Sequence, residues 1–179
     1  DPKVNGRKRP AGISSTEQEH ESAARKVTII REWLSAAGWP EPVEADSGNG
    51  GALLYAIELP NDDDSKKLTE ACLKALAARF DDETCDIDTT VHNAARILKL
   101  YGTMAGKGDS TTDRPHRRAA LITAPDPIRA VPIGLLRALA KTIEQPKPTA
   151  PAGGMRTGIQ AEQWLRSHNI AGTSTKPGN

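Results

Sequence analysis

The residues best suited to chemistry in this chain are two aspartates spaced two positions apart. Asp86 and Asp88 flank Ile87 in a short stretch that is predicted to be a strand over residues 84–87. Side chains alternate along a strand, so both carboxylates are expected on one face, within reach of the same divalent ion. Such an ion, with donors that hold the phosphates, is what phosphoryl transfer requires of a protein. Taken alone, such a pair is more typical of a solvated sheet edge, and a metal site is the alternative.

A second polar stretch, Ser47-Gly48-Asn49-Gly50, lies between two apolar runs that are predicted to be strands over residues 42–46 and 51–59. The Asn-Gly pair is typical of a type I′ hairpin turn, in which both central residues have positive φ. This turn would place Ser47 opposite Ala52. Ser47 and the backbone N–H groups of the turn are then available as anion donors.

Basic residues supply the third group of candidates. Arg96 lies among apolar residues on a helical turn predicted over residues 91–96, which favours an anchored guanidinium. His116 and Arg117 follow a rigid proline, just before a strand predicted over residues 118–123. The formal charge of the chain is only +1, so binding to nucleic acid must come from a local basic face. A further basic run, Lys3, Arg7, Lys8 and Arg9, is equally consistent with a solvated surface.

In order and spacing, these stretches resemble the primase-polymerase domain of the archaeo-eukaryotic primase superfamily, in the branch found in phage and plasmid replication proteins. That branch has an SGNG-x-H-L-L-Y stretch, a hydrophobic-Asp pair before N-x-A-R-I-x-K-L-Y-G-T, and an R-P-H-R stretch. The resemblance covers about residues 1–123. It implies an RRM-like catalytic core that adds nucleoside triphosphates to a primer on a DNA template, with Mg²⁺ or Mn²⁺.

The resemblance also implies roles for individual residues. Asp1 and Asp88 would be catalytic metal ligands, with Asp86 as a further metal ligand. The implied contacts to nucleotide or template are Ser47, Asn49, Gly50, Arg96, Lys99, His116 and Arg117.

Two departures from the family pattern favour an alternative function. The first family motif carries two aspartates, and the chain opens at what resembles the second, Asp1, so an N-terminally clipped fragment is expected. Ala52 stands where the family has histidine. The alternative is therefore a catalytically impaired DNA-binding or replication-initiation module on the same fold. A relaxase or nuclease is disfavoured, because Tyr55 and Tyr101 lie in apolar strand patterns.

The elements that must position these residues follow from apolar periodicity and capping signals. Thr16 and Glu19 form a capping box that predicts a helix ending at Gly38. A second helix is expected from residues 61–65 to Phe80, and a third from Pro132. A further strand is expected over residues 97–101. Strands interleaved with helices predict an α+β fold with two layers and a mixed or antiparallel sheet.

The organisation along the chain is one domain over residues 1–143, a Pro/Gly/Ala linker over 144–158, and a short helix and tail over 159–179. The last segment would lead to a missing downstream region, with a helicase domain or partner as one possibility. Cys72 and Cys85 are too few for a zinc cassette, and each is expected to be a small buried hydrophobe. The sequence shows no signal peptide or long apolar segment, so a cytoplasmic protein without membrane contact is expected.

Overall fold

A computed structural model describes residues 1–143, which contain three helices and seven short strands. The helices are α1 (Glu17–Ala36), α2 (Asp63–Phe80) and α3 (Ile133–Lys141). The strands are β1 (Lys3–Val4), β2 (Arg7–Lys8), β3 (Val43–Asp46), β4 (Gly51–Leu54), β5 (Met104–Ala105), β6 (Arg117–Arg118) and β7 (Ala120–Thr123).

The strands form three small antiparallel sheets, which are the pair β1-β2, the three-stranded sheet β4-β3-β7 and the pair β5-β6. Helix α1 packs on β4, and α2 packs on α3. The predicted α+β class is confirmed. The strands of the described residues are divided among three sheets, because the segments between them pair only through single bridges at Pro2–Cys85 and Ala56–Ala130.

Helix α1 begins and ends as its sequence signals require. Thr16 Oγ1 accepts from the Glu19 N–H at 3.2 Å, and the Glu19 carboxylate accepts from the Thr16 N–H at 3.0 Å. At the other end the N–H groups of Gly38 and Trp39 donate to the carbonyls of Ser35 and Leu34. This is a Schellman motif, and Gly38 adopts the left-handed φ of +86° that it needs.

The core lies where the apolar faces of the helices meet the three-stranded sheet. Its buried members are Ile30, Leu34, Trp39, Cys72, Ala75, Val131, Leu136 and Leu139. Cys72 is buried as predicted, and loss of water around the thiol raises its pKa to about 11. Cys85 is also buried, at 2% exposure. These cysteines are therefore packing residues.

Four of the predicted local structures are wrong. The strand expected over 51–59 ends at Leu54, and Ile57 is 43% exposed. Residues 84–87 form a single bridge rather than a strand, and 91–96 form a hydrogen-bonded turn rather than a helical turn. Residues 97–101 are irregular, with Ile97 91% exposed. An apolar run forms a strand only when a neighbouring element covers it.

The linker and the C-terminal helix expected over residues 144–179 lie outside the described residues. Within residues 1–143, none of the helices has the length and apolar character needed to cross a bilayer.

Candidate functional site

The Ser-Gly-Asn-Gly stretch forms a four-residue loop, which we call the SGNG loop (residues 47–50). Asp46 pairs with Gly51, and Ala52 pairs with Ala45 rather than with Ser47. Gly48 has the positive φ, at +82°, and the Ser47 N–H donates to the Gly50 carbonyl at 2.9 Å. The predicted type I′ turn is therefore wrong, because the loop closes two residues wider than Asn-Gly alone would allow.

Close contacts on two sides fix the SGNG loop in place. A Cβ on Gly48 would lie 2.7 Å from both Ala105 Cβ and the Arg117 carbonyl oxygen, and a Cβ on Gly51 would overlap Val27 of α1. Asp46, the last residue of β3, anchors the loop, since its carboxylate accepts from the Gly48 N–H at 2.6 Å. His20 of α1 also contacts this carboxylate, at 2.9 Å. His20 was not among the predicted site residues.

Asn49 joins the SGNG loop to the segment that precedes α1. Its side chain is almost fully buried, and Oδ1 accepts from the Ser15 N–H at 2.8 Å and from Arg9 at 3.2 Å. Its Nδ2 is buried without a hydrogen-bond partner among the described residues. Asn49 was predicted to line a phosphate, and in the structure its side chain is buried and joins the loop to Arg9 and Ser15.

The Arg-Pro-His-Arg stretch lies against the same segment. Arg114 donates to both carboxylate oxygens of Glu19, at 3.0 and 2.8 Å, and to the Ser14 carbonyl at 2.6 Å. Arg117 donates to the Ser15 carbonyl and to Glu17, both at 2.8 Å. The guanidinium groups of both arginines are thus engaged with protein partners, and they hold the start of α1, whose preceding residue Ser15 contacts Asn49 of the SGNG loop.

The imidazole of His116 lies at the edge of this cluster. Its Nε2 is 2.8 Å from the Gly108 carbonyl oxygen, and a Cβ on Gly106 would lie 3.4 Å from the ring. Lys99 donates to the Met104 carbonyl at 3.0 Å. Both predicted nucleotide contacts therefore hold the loop that contains β5.

The ion pair between Arg114 and Glu19 makes the stability of the folded protein depend on pH. Burial alone would raise the pKa of Glu19, but its hydrogen bonds to Arg114 and to the Thr16 N–H outweigh that effect and leave the pKa lowered. A lowered pKa in the folded state stabilises the protein above the unfolded-state value of about 4.3, and this stabilisation is lost as pH falls through the folded-state value.

We therefore expect Glu19→Gln to lower the free energy of unfolding by about 1–3 kcal/mol at neutral pH, since glutamine keeps the capping box but loses the ion pair. The deficit should shrink below about pH 4, where wild-type Glu19 also becomes neutral. Urea unfolding at several pH values measures it, with Glu21→Gln on the exposed face of α1 as the control. A deficit that stays constant down to pH 3 would contradict this account.

Backbone hydrogen bonds between residues 1–3 and residues 84–86 bring Asp1 and Asp86 together. The Asp86 N–H donates to the Asp1 carbonyl at 2.8 Å, and the Lys3 N–H donates to the Thr84 carbonyl at 2.7 Å. The Cβ position of Gly50 is 4.0 Å from Asp1 Cα. Asp1, Asp86 and the SGNG loop are therefore neighbours, although 85 residues separate the first two.

The environments of Asp86 and Asp88 differ. Lys3 Nζ lies 2.7 Å from the Asp86 carboxylate and neutralises it. Asp88 accepts from the Thr90 hydroxyl at 2.6 Å and its N–H at 2.9 Å, with Arg96 at 3.6 Å. Burial raises the pKa of Asp88, but the Thr90 bonds and the Arg96 charge outweigh it, so the pKa is lowered and Asp88 is ionised at neutral pH.

These carboxylates could supply only some of the ligands that a metal ion needs. Within residues 1–143, nowhere do three His, Cys, Asp or Glu side chains converge as metal ligands. Asp86 already has Lys3 as its counter-ion, and Asp88 already has Arg96 within 4 Å. A divalent ion at Asp1 and Asp88 would have to draw most of its ligands from water or from a bound phosphate.

Arg9 is a site residue that sequence reasoning did not distinguish from the basic run around it. Its neighbours Arg7 and Lys8 are exposed, whereas the Arg9 side chain is 6% exposed and contacts Asn49. Burial lowers the pKa of the Arg9 guanidinium. Loss of water around the ammonium lowers the pKa of Lys107, and the charges of Arg9 and Lys99 lower it further. The charge of Glu19 partly offsets the effect of burial on Arg9, and the Asp1 carboxylate lies 3.9 Å from the guanidinium.

Comparison of the chain with protein-family models, with curated protein sequences and with solved structures found no match.

Proposed function

We propose that the chain is a primase-polymerase domain that transfers nucleotides onto a DNA strand, in the replication of a phage, plasmid or related mobile element. The observation that supports this proposal is the meeting of four separate motifs. Asp1, the SGNG loop, Asp86 and the Arg114–Arg117 stretch lie far apart in sequence and are neighbours in the fold. An RRM-like catalytic core is part of the proposal.

The proposed roles follow the charges of this cluster. Asp1 and Asp88 are the proposed ligands of Mg²⁺ or Mn²⁺, with Asp86 available if it exchanges Lys3 for the ion. Such an ion would neutralise charge on the phosphates during transfer. Residues of the SGNG loop and the nearby basic residues would position the nucleotide and the template, whereas Arg117 would act by holding the start of α1 in place.

Primer extension tests the proposal. The chain would be incubated with primed or unprimed single-stranded DNA, labelled nucleotides, and either Mn²⁺, Mg²⁺ or EDTA. We expect incorporation that requires a divalent ion and that favours the nucleotide complementary to the template. Incorporation that ignores the template, or that persists in EDTA, would contradict the proposal.

A second candidate is a DNA-binding or replication-initiation module on the same fold, with impaired catalysis. It is favoured by Ala52 at the position of the family histidine and by the ion pair between Asp86 and Lys3. This candidate predicts binding to single-stranded DNA, weakened by salt, without nucleotide incorporation. The same extension assay, combined with binding measurements at two salt concentrations, separates the two. A helicase domain or partner is compatible with either.

A further inference from the structure

An aliphatic surface is exposed where the loop that contains β5 meets the strand segment β6–β7. Five of its large apolar side chains are each more than half exposed, and we call them the aliphatic patch: Leu98, Leu100, Met104, Leu121 and Ile122. An exposed apolar patch with a polar rim is often a site of interaction with a partner. The contacts of the patch and the charges around it indicate which partner it fits.

Hydrogen bonds connect the two halves of the aliphatic patch. The Thr103 hydroxyl donates to the Leu100 carbonyl at 2.6 Å, and the Thr103 carbonyl accepts from the Ala119 N–H at 2.8 Å. Met104 pairs with Arg118 in the β5-β6 sheet. Strand β7 begins at the residue after Ala119 and is an edge strand of its sheet. Its two exposed apolar residues therefore continue the surface formed by the β5 loop.

Two cations border the aliphatic patch. Lys99 Nζ donates to the Met104 carbonyl at 3.0 Å, and the Arg118 guanidinium donates to the Gly102 carbonyl. None of the carboxylates in residues 1–143 forms an ion pair with either cation, although Arg96 nearby is paired with Asp88. The rim of the patch is therefore positively charged, and it is complementary to carboxylates.

The size of the aliphatic patch favours a short segment over a second folded copy of the chain. A fully exposed leucine-sized side chain presents about 100 Å² of apolar surface, so the five residues present about 300 Å² in total. A stable complex between folded proteins buries about 800 Å² on each partner. The patch alone is too small for such an interface, whereas a single extended segment could cover it.

The chemistry of the patch favours a protein segment over a membrane or a nucleic acid. Binding to an anionic membrane surface calls for clusters of about four to eight cations, and only Lys99 and Arg118 border this patch. Single-stranded nucleic acid binds by stacking its bases on aromatic rings, and all five members of the patch are aliphatic.

We propose that the aliphatic patch binds an extended segment of a partner protein in which acidic residues flank a few large apolar ones. The apolar side chains of that segment would cover the patch, and its carboxylates would pair with Lys99 and Arg118. Apolar contact would supply most of the affinity, and the charges would select the partner. The inference goes beyond the proposed function and does not depend on it.

Fluorescence anisotropy with a short labelled peptide, in which aspartate and glutamate flank a run of leucine and phenylalanine, tests the inference. We expect the chain to bind this peptide roughly tenfold or more tightly than a control peptide with lysine at each acidic position. Leu98→Ser/Leu100→Ser should weaken binding of the acidic peptide roughly tenfold or more. Ile29→Ser, at a similarly exposed apolar residue of α1, is the matched control and should bind like the wild type.

A charge exchange gives an independent readout. Lys99→Glu/Arg118→Glu should prefer the lysine peptide to the acidic one, a reversal that unfolding cannot produce, whereas Lys67→Glu on the exposed face of α2 should keep the wild-type preference. A wild-type chain that binds neither peptide, or both equally, would overturn the inference. So would a dimer that Leu98→Ser/Leu100→Ser dissociates, which would assign the patch to a second copy. Binding to phosphatidylserine vesicles or to a single-stranded oligonucleotide that the same variant abolishes would also overturn it.

Discussion

Replacing Gly48 by alanine is expected to lower the free energy of unfolding by about 2–5 kcal/mol. The left-handed backbone at +82° costs an L-residue about 1–2 kcal/mol. The new methyl group would also lie 2.7 Å from Ala105 Cβ and from the Arg117 carbonyl oxygen. Forcing an extra carbon into a packed region adds about 1–3 kcal/mol. Denaturant unfolding of the variant measures the total.

Gly38 provides a matched control for this change. It has nearly the same φ, +86°, but a Cβ there would meet nothing within 4 Å. Gly38→Ala should therefore show the backbone cost alone, about 1–2 kcal/mol. Equal losses in the two variants would mean that β5 and β6 do not confine the SGNG loop. A larger loss at Gly48 would measure that confinement directly.

The largest functional effect is expected for Asp88→Asn. Asp88 is ionised, partly exposed and one of the two proposed metal ligands, so its loss removes half of the proposed ligand pair. We expect Mn²⁺ affinity and nucleotide transfer to fall by at least about 100-fold, because even residues that only support metal ligands cost 10–100-fold. Calorimetry with Mn²⁺ and primer extension give the two measurements.

The control for Asp88→Asn is Asp64→Asn, which makes the same chemical change at a side chain that is 97% exposed on α2. It should leave both measurements unchanged. If Asp88→Asn retains wild-type Mn²⁺ affinity, Asp88 is not a metal ligand, and its bonds to Thr90 and Arg96 are structural. Thermal melting of both variants shows whether any loss comes from unfolding.

Local signals in the sequence predicted the helices well. The Thr16 and Glu19 capping box marks the start of α1. Residues 61–65 offered several N-caps for α2, of which Asp62 is the one used, and Pro132 stands at the N-cap of α3, one position before the first-turn position expected for it. The strand predictions were weaker, because the partner that a strand pairs with is often far along the chain. Ile97 and its neighbours are apolar, yet no strand pairs with them within the described residues.

The contacts of the site could be predicted only in part. The resemblance implied that Asp1, the SGNG loop, Asp86 and Arg117 belong to one site, and these residues are neighbours in the fold. The resemblance did not indicate that Asn49 is buried. It also did not separate Arg9 from Arg7 and Lys8, because a run of like charges carries no local signal of which side chain turns inward. Such a choice depends on side chains 40 residues away.

The hydrogen bonds that hold the site join residues that are far apart along the chain. Arg9 and Asn49 are 40 residues apart, and Arg117 and Ser15 are 102 residues apart. Each bond closes a long loop of chain, so it gains little until most of the domain has already folded. A short peptide containing Ser-Gly-Asn-Gly therefore cannot carry the site, nor can a graft of that loop onto another hairpin. The whole domain is the smallest unit in which these residues act together.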